Sequence, residues 1–407
     1  MSRRFYSLVF FLVFGLGLGL AVSEALVRFC VPLSDFMWQW DPTIGMKLVP
    51  GKIGRSVKPG VFDVSVQVNS MGFRDREHRI DRSPGVQRIA LLGDSVVEAL
   101  QVPFNDSITP RIEDYLESDG KRSEVLNFGV SGTGTAREYL ALRDYALKYR
   151  PDLVLLFFVI NDFGDNTREL KGLSYIPYPK INDDGSLVID ESGHPVFEPF
   201  QDQSSRFSAL TDVFRQHFKT YRLLREAVDT LPSADEISNM LGIKNGNAQT
   251  AVSSKNVNFG MYEIYRPQLR LQWARGKRAT EDLIVSVRDL AAESHVQFAV
   301  VIVPSVWDVY PSRWQEVLMQ MPGLRQAGLT ADSPLQNLKR FLADHRVNTI
   351  DLLPEFLRCA PKSAPLYLNG DGHWTVAGHR LAAEVISREA SRILGSNSGD
   401  LDVVSRQ

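Results

Sequence analysis

Five short runs of apolar residues constrain the fold of this chain more than any other feature of its sequence. The runs occupy residues 89–92, 125–128, 153–160, 296–303 and 347–352. Each is apolar on both faces, which is typical of parallel strands covered by helices. Because helical patterns alternate with these runs, the sequence predicts an α/β fold, a three-layer α/β/α sandwich around a central five-stranded, mainly parallel sheet.

Three amphipathic stretches supply the clearest helices, at 135–149, 279–294 and 375–394. The interval between the third and fourth strands is far longer than one crossover requires, so an insertion is expected at about 163–260. Its predicted parts are a hairpin around 183–185 with arms at 178–181 and 187–189, a helix at about 206–229, and a polar loop or linker at 232–258.

An uncharged apolar stretch, residues 5–22, follows Arg3 and Arg4. Its length suffices to span a bilayer, and the arginines place the N-terminus in the cytoplasm. A cleaved signal peptide is the alternative, since Ala21-Val22-Ser23 offers small residues for processing. The membrane anchor is favoured because the stretch exceeds a signal-peptide core of about 7–15 residues. The rest of the chain is then extracytoplasmic, or secreted if cleavage occurs.

These signals divide the chain into four parts. They are an anchor at 1–27, an N-terminal extension with β-structure at 28–84, the α/β domain at 85–395, and a flexible tail at 396–407. Within the extension, residues 62–69 alternate strictly between apolar and polar, as a half-buried strand does.

The charge balance argues against nucleic acid as a partner. The chain has 46 basic and 48 acidic residues and a net charge of -2, so no basic footprint is present. Its two cysteines, Cys30 and Cys359, are weak grounds for a disulfide, and no bridge is assumed. No cofactor and no metal ion are predicted.

Polar residues follow four of the five predicted strands. Functional loops of such sheets gather at the carboxyl ends of the strands, so these residues are expected to converge. They are Ser95 after the first strand, the segment 127–132 after the second, Asn161 and Asp162 after the third, and the segment 369–373 after the fifth.

The order of these blocks resembles that of the SGNH (GDSL-type) hydrolases. The blocks are Gly93-Asp94-Ser95, then N-x-G-x-S-G, then Asn-Asp, then an acid and a histidine before the last helix. The resemblance covers most of residues 86–394 outside the insertion, and residues 69–75 are similar to membrane-anchored bacterial members. It implies the flavodoxin-like SGNH fold and esterase or acyltransferase activity.

The chemistry of a serine nucleophile supports the same residues. A serine hydroxyl needs a base, and histidine suits that role near neutral pH. His373 is the candidate base. Asp371 lies two positions earlier, and in an extended loop its carboxylate is expected to point to the same side and hold the imidazole. Ser95, His373 and Asp371 therefore form the predicted catalytic triad.

The resemblance also implies an oxyanion hole. Its donors are the backbone N–H of Ser95, the backbone N–H of Gly132 and the side-chain amide of Asn161. Glycine allows close backbone approach to substrate, and a carboxamide donates without charge. Departures from the family pattern occur at Val96, at Ala99 where glycine is frequent, and at Val159. The Asp-x-His spacing resembles acyltransferase-like branches.

The favoured function is a serine-dependent esterase acting on O-acyl esters, O-acetyl above all, of an exported carbohydrate through an acyl-Ser95 intermediate. The alternative is an O-acyltransferase that uses the same triad on a cell-envelope or secreted polysaccharide. A membrane-anchored binding protein without catalysis is a further alternative. A metal-dependent phosphoesterase also competes, with possible ligands Asp94, Asp162, Asp371, His373 and His379.

Several other side chains are expected to be structural. Asp94 and Asp162 are expected to orient loops, and His379 to lie on the last helix without acting as a base. Trp307, Tyr310 and Trp314 either face the cleft or pack in the core. The remaining histidines are expected to be exposed: His78, His194, His217, His295 and His345.

Overall fold

A computed structural model of the chain confirms the predicted α/β sandwich. It describes residues 3–200, 211, 213–215, 217–229, 260–329, 334–362 and 364–396. The predicted linker at 232–258, the start of the helix expected from 206, and nearly all of the predicted tail lie outside the described residues.

The central sheet has five strands in the order β6-β5-β7-β8-β9, and every neighbouring pair is parallel. The strands of the described residues are β1 (Trp38–Asp41), β2 (Gly45–Leu48), β3 (Ile53–Lys58), β4 (Phe62–Gln67), β5 (Gln87–Leu92), β6 (Ser123–Asn127), β7 (Leu153–Phe158), β8 (Gln297–Ile302) and β9 (Asn348–Asp351). All five predicted strands are therefore confirmed to within two residues at each end.

Helices lie on both sides of this sheet and also, among the described residues, in the N-terminal and inserted segments. They are α1 (Arg3–Cys30), α2 (Ser95–Glu98), α3 (Ile108–Ser118), α4 (Thr135–Asp144), α5 (Asp162–Asp165), α6 (Arg168–Lys171), α7 (Lys219–Asp229), α8 (Leu271–Glu293), α9 (Val306–Val309), α10 (Pro311–Gln320), α11 (Pro322–Gln326), α12 (Leu335–Asp344), α13 (Leu353–Cys359) and α14 (Val376–Ser396). Short 3₁₀ turns add Phe104–Asp106, Ala146–Tyr149 and Gly260–Tyr265.

Alternate residues of each central strand enter two separate cores, as the period of two requires. In β5, Ile89 and Leu91 face the core beneath α3 and α14, whereas Ala90 and Leu92 face the core beneath α4 and α8. Residues 153–158 of β7 are all buried. The absence of a polar face along the strands, seen in the sequence, follows from this double cover.

The N-terminal extension forms two antiparallel pairs, β1 with β2 and β3 with β4. In β4, Val64 and Val66 are buried, as their alternation predicts. Helix α1 precedes these strands, and an 18-residue window within Arg4–Cys30 has a mean hydropathy of 2.3, so the length and composition of the helix suffice to cross a membrane. A signal sequence meets the same criteria. Cys30 and Cys359 are both free thiols.

The helix expected at 135–149 is interrupted. Helix α4 ends at Asp144, and Tyr145 takes a non-helical conformation with φ of -123° before a 3₁₀ turn. The hydroxyl of Tyr145 donates to Asp41 Oδ2 of the N-terminal extension at 2.7 Å. A contact between distant parts of the chain therefore accompanies a break that local periodicity does not show.

The predicted hairpin of the insertion appears as isolated bridges, with Ile181 opposite Leu187 and Ile189 opposite Pro195. Its turn lies against α8, since a Cβ added to Gly185 would stand 2.6 Å from the Cα of Arg275. The hairpin is thus packed onto the sandwich by its turn.

Candidate active site

Ser95 lies at a tight corner between β5 and α2, where it begins the helical turn. Asp94 caps that turn, because its Oδ1 accepts the backbone N–H of Val96 at 3.0 Å. The corner needs a glycine, since a Cβ on Gly93 would approach Val97 Cγ2 to 2.5 Å. The sequence Gly-Asp-Ser therefore serves local structure and also exposes the hydroxyl of Ser95.

The far end of this turn is held by a buried arginine. Ala99 has a left-handed backbone, with φ of 55°, a conformation that glycine adopts more readily than alanine. Arg74 of the N-terminal extension, only 1% exposed, donates to the carbonyls of Glu98, Ala99 and Val102. Three carbonyls are thereby fixed behind the candidate nucleophile.

The structure brings the three predicted triad side chains together. Ser95 Oγ lies 2.8 Å from His373 Nε2, and His373 Nδ1 is hydrogen-bonded to Asp371 Oδ1. With the carboxylate accepting at Nδ1, the imidazole presents an unprotonated Nε2 to the serine hydroxyl. All three residues lie at the carboxyl edge of the central sheet, after β5 and β9.

The loop that carries Asp371 and His373 is not extended, contrary to the expectation. Tyr367 pairs with Trp374, and the N–H of Leu368 donates to the carbonyl of His373 at 2.8 Å, so the segment is a tight hairpin. Gly372 has φ of 86°. Acid and base meet across a left-handed glycine, which permits the short Asp-x-His spacing.

Two backbone N–H groups are available beside the triad. Among the described residues, the N–H groups of Ser95 and Gly132 donate to no acceptor. Gly132 has φ of 71°, and a Cβ there would meet no protein atom within 4 Å. Backbone conformation, rather than crowding by the protein, is thus the reason for glycine at this position.

Asn161 lies between two carboxylates. Its Nδ2 is 3.3 Å from Asp94 Oδ2 and 3.2 Å from Asp165 Oδ2. Both contacts are long, and catalytic hydrogen bonds commonly tighten only when substrate is bound. Donation to a substrate oxygen therefore requires Asn161 to exchange one of these two carboxylate partners.

Buried carboxyl groups surround the loops of the site. Burial raises the pKa of Asp94 and, more strongly, the pKa values of Asp162 and Glu138. Asp162 Oδ2 accepts the N–H of Val159 at 3.0 Å, so Asp94 and Asp162 both bind loop backbone. Among the described residues, no group of three His, Cys, Asp or Glu side chains is arranged to hold a metal ion.

His379 lies in the packed interior and is not one of the triad residues. It is 1% exposed and meets Trp374 edge to face, and burial lowers its pKa to about 3. Trp314 is also buried, and Trp307 donates to the Tyr265 hydroxyl at 2.6 Å, so these two rings pack in the core. The expectation that His78 is exposed is wrong, because its side chain is 4% exposed and contacts Asp75.

Sequence reasoning missed three residues that support the site, Lys58, Arg74 and Glu98. Lys58 contacts Asp371, and Glu98 Oε2 accepts the N–H of Ser131 at 3.1 Å next to Gly132. Glu98 has a local signal, an acid that directly follows Val96 and Val97 in a short apolar turn. Lys58 and Arg74 have none, because their partners are distant in the chain.

Glu98 gives an expected dependence of stability on pH. Its side chain is buried, and burial raises its pKa from 4.5 to about 7. The contribution of Glu98 to the free energy of unfolding is full below about pH 4.5, and it falls by on the order of 3 kcal/mol as the pH rises toward 7. Glu98→Gln keeps the acceptor for Ser131 without ionisation, so we expect the variant to exceed wild type in unfolding temperature at pH 8 but not at pH 4.5.

Near-ultraviolet circular dichroism of the detergent-solubilised chain measures this difference. Glu117→Gln is the matched control, because Glu117 is exposed on α3. Parallel pH profiles of wild type and Glu98→Gln would contradict the assignment.

Comparison with known proteins identifies a related family. Residues 265–404 match the family described as "SGNH hydrolase-like domain, acetyltransferase AlgX". No curated protein sequence matches.

Similar solved structures include an acetyl xylan esterase, AlAXEase, at 12% identity, covering 74% of this chain and 97% of its own, with a TM-score of 0.35. A member of the lipolytic protein G-D-S-L family from Veillonella parvula DSM 2008 is 12% identical, covering 74% and 95%, with a TM-score of 0.33. A lipase/acylhydrolase from Enterococcus faecalis is 14% identical, covering 76% and 96%, also with a TM-score of 0.33.

Proposed function

We propose that this chain, which belongs to the SGNH/GDSL hydrolase superfamily, acts on O-acyl esters through a covalent acyl intermediate on Ser95. The observation that carries the proposal is the relay from Ser95 Oγ through His373 to Asp371, with 2.8 Å between the hydroxyl oxygen and Nε2. A serine, a base within hydrogen-bond reach and an acid that orients the base are the requirements for acyl transfer to a serine.

The first half-reaction forms the acyl intermediate. Ser95 Oγ attacks the acyl carbonyl while its proton passes to His373 Nε2, and Asp371 stabilises the resulting imidazolium. The N–H groups of Ser95 and Gly132 and the amide of Asn161 donate to the oxyanion. As the tetrahedral intermediate collapses, the C–O bond to the alcohol breaks and His373 returns the proton to the departing oxygen.

The second half-reaction decides between hydrolysis and transfer. His373 removes a proton from water, or from a sugar hydroxyl, as that oxygen attacks the acyl carbonyl. The C–Oγ bond to Ser95 then breaks, and His373 returns the proton to Ser95 Oγ. Water gives an esterase, which is the first candidate. The match of residues 265–404 to a family described as acetyltransferase favours the second candidate, an O-acyltransferase.

The substrate class follows from chemistry and location. We place the α/β domain on the extracytoplasmic side, tethered by α1, where O-acetylated carbohydrate of the envelope is available. A cleft of about 1130 Å³ lies beside the loop of Asp371, with Phe62, Leu368 and Asn369 among its lining residues. Ser95, Asp371 and His373 do not line this cleft, so we propose it for a part of the alcohol that is remote from the ester bond.

Covalent capture tests the proposal on the full chain in detergent. An aryl acetate reports release of the phenol, and a fluorophosphonate reports an activated serine, with the adduct located by peptide mass spectrometry. We expect turnover of the aryl acetate and a single adduct on the peptide containing Ser95. Heat-denatured protein is the control.

A neutral oligosaccharide added as acceptor separates the candidate reactions. Acetylated oligosaccharide would establish transfer, whereas acetate alone would establish hydrolysis. A native chain that neither releases the phenol nor binds the fluorophosphonate would refute the enzymatic proposal and support the binding protein.

Removal of the Asn161 amide tests the oxyanion hole. We expect Asn161→Ala to lower kcat by about 10²–10³-fold with little change in KM, because the lost donor acts on charge that develops in the transition state. Asn182→Ala is the matched control, since Asn182 is exposed on the hairpin of the insertion. An unchanged kcat would remove Asn161 from this role.

A further inference from the structure

Lys58 reaches the candidate triad from outside the central sheet. It ends β3 and pairs with Phe62 at the end of the β3–β4 hairpin, next to the turn at Gly60. Its Nζ lies 2.6 Å from Asp371 Oδ2 and 2.8 Å from the carbonyl oxygen of Gly370. The contact joins residues that are 313 positions apart in the chain.

The two oxygens of Asp371 have different partners. Oδ1 accepts from His373 Nδ1, while Oδ2 accepts from Lys58. The Asp371 side chain is 10% exposed, whereas the Lys58 side chain remains 42% exposed. A continuous chain of hydrogen bonds therefore runs from Ser95 through His373 and Asp371 to Lys58.

Arginine contacts fix the N-terminal extension against the same edge of the domain. Arg137 donates to the carbonyls of Ile44 at 2.6 Å and Met46 at 2.9 Å, and also to that of Gly132 at 3.0 Å. Arg74, described above, holds the turn after Ser95. The extension thus contacts the turn after Ser95 through Arg74 and the loop of Asp371 through Lys58, and it is linked to Gly132 through Arg137 of α4.

We propose that Lys58 is a positioning residue of the esterase or acyltransferase, holding the Asp371 carboxylate in the orientation and charge state that His373 requires. This inference rests on the proposed function of the same site. It makes the N-terminal extension a contributor to the active site, because a residue outside the sandwich completes the hydrogen bonds of the acid.

The charge of Lys58 favours the ionised form of Asp371. Burial alone tends to raise the pKa of Asp371, but hydrogen bonds from Lys58 and His373 outweigh burial and hold that pKa below its usual value. Asp94, on the loop after β5, and His379, on α14, are two further titratable groups within electrostatic range of His373. Both remain in a Lys58 variant, so a change in pH dependence isolates the lysine.

A pair of Lys58 variants tests the proposal in the full chain. Lys58→Met removes the charge at similar length, and Lys58→Arg restores it. We expect Lys58→Met to lower kcat/KM for an aryl acetate by about 5- to 30-fold at pH 6. This loss lies between the value of an exposed salt bridge and that of a buried charge-assisted hydrogen bond. The deficit shrinks toward pH 8.5, because loss of the positive charge of Lys58 makes the hydrogen-bonded triad bind a proton more readily and moves the acid limb of the pH profile to higher pH. We expect Lys58→Arg to keep the wild-type limb.

Arg55→Met is the matched control. Arg55 also lies on β3, but its partner is Asp63 within the same hairpin, and both side chains are about half exposed. We expect this variant to reproduce the wild-type pH profile. An equal loss at every pH in Lys58→Met, or no loss, would overturn the positioning role.

A second measurement does not depend on turnover. In a chain labelled with ¹³C-aspartate, the carboxyl signal of Asp371, identified by its absence in Asp371→Asn, reports titration directly. We expect its midpoint to lie at higher pH in Lys58→Met than in wild type. An unmoved midpoint would overturn the inference. A moved midpoint in a chain without esterase or transferase activity would refute the proposed function while leaving the Lys58 contact established.

Discussion

Ser95→Ala is expected to lower kcat/KM for an aryl acetate by about 10⁴–10⁶-fold, because the proposed reaction has no other nucleophile of comparable reactivity. The Ser95→Ala change removes only the hydroxyl group that contacts His373 Nε2. Backbone N–H donors remain in place, so residual rate above that in water is expected. The measurement is phenol release by the full chain, with fluorophosphonate labelling abolished in parallel.

Ser118→Ala is the control for this change. Ser118 is exposed at the end of α3, where its hydroxyl donates to the carbonyl of Tyr115. A Ser95→Ala, His373→Ala double variant is expected to be no slower than Ser95→Ala alone, because the two residues act as one unit. Additive losses in the double variant, or retained labelling of Ser95→Ala, would show that another residue supplies the nucleophile.

The central sheet was predictable because its signal is local. Each strand is buried on both faces, so each appears as an uninterrupted apolar run, and the alternation with amphipathic helices indicates parallel connections. The start of α8 was harder to predict from the sequence. Its apolar stripe begins near residue 279, whereas the helix begins at Leu271 with no side-chain cap at Arg270. Trp273 and Gly276 are buried in those added turns by tertiary packing.

The core of the site was predictable for a different reason. Strand ends converge in a doubly wound sheet, so Ser95, Gly132, Asn161 and His373 could be grouped without any knowledge of their distances. Backbone conformation could not be deduced in the same way. The left-handed glycine between Asp371 and His373 replaces the extended geometry expected from their spacing.

Contacts between the N-terminal extension and the domain were beyond sequence analysis. Arg74 and Arg137 are buried, and their partners are backbone carbonyls, which every residue possesses. A backbone carbonyl can accept a hydrogen bond whatever the residue type, so the sequence does not indicate a partner for either arginine. Nothing in the sequence indicates a partner for Lys58 either, although the residue that it contacts, Asp371, is predicted as part of the triad.

Removal of the Asp371 charge tests the role of this residue in catalysis. Asp371→Asn is expected to lower kcat/KM by about 10³–10⁴-fold, less than removal of Ser95 or His373. The variant lacks the negative charge that stabilises the imidazolium, and its amide can present an N–H to His373 Nδ1. That arrangement favours the imidazole tautomer with its proton on Nε2, and a protonated Nε2 cannot accept the proton of Ser95. Steady-state kinetics at pH 8 measures the loss.

Asp63→Asn is the matched control for Asp371→Asn, because Asp63 is also paired with a basic residue, Arg55, and both side chains of that pair are about half exposed. We expect its kinetics to match wild type. Since Asp371→Asn is nearly isosteric, unchanged circular dichroism separates lost catalysis from lost fold. A deficit below about tenfold would mean that Asp371 contributes little to the imidazolium. The hydrogen bond to His373 Nδ1 would then be a structural contact of the hairpin at residues 367–374, and Lys58 would stabilise that hairpin rather than the base.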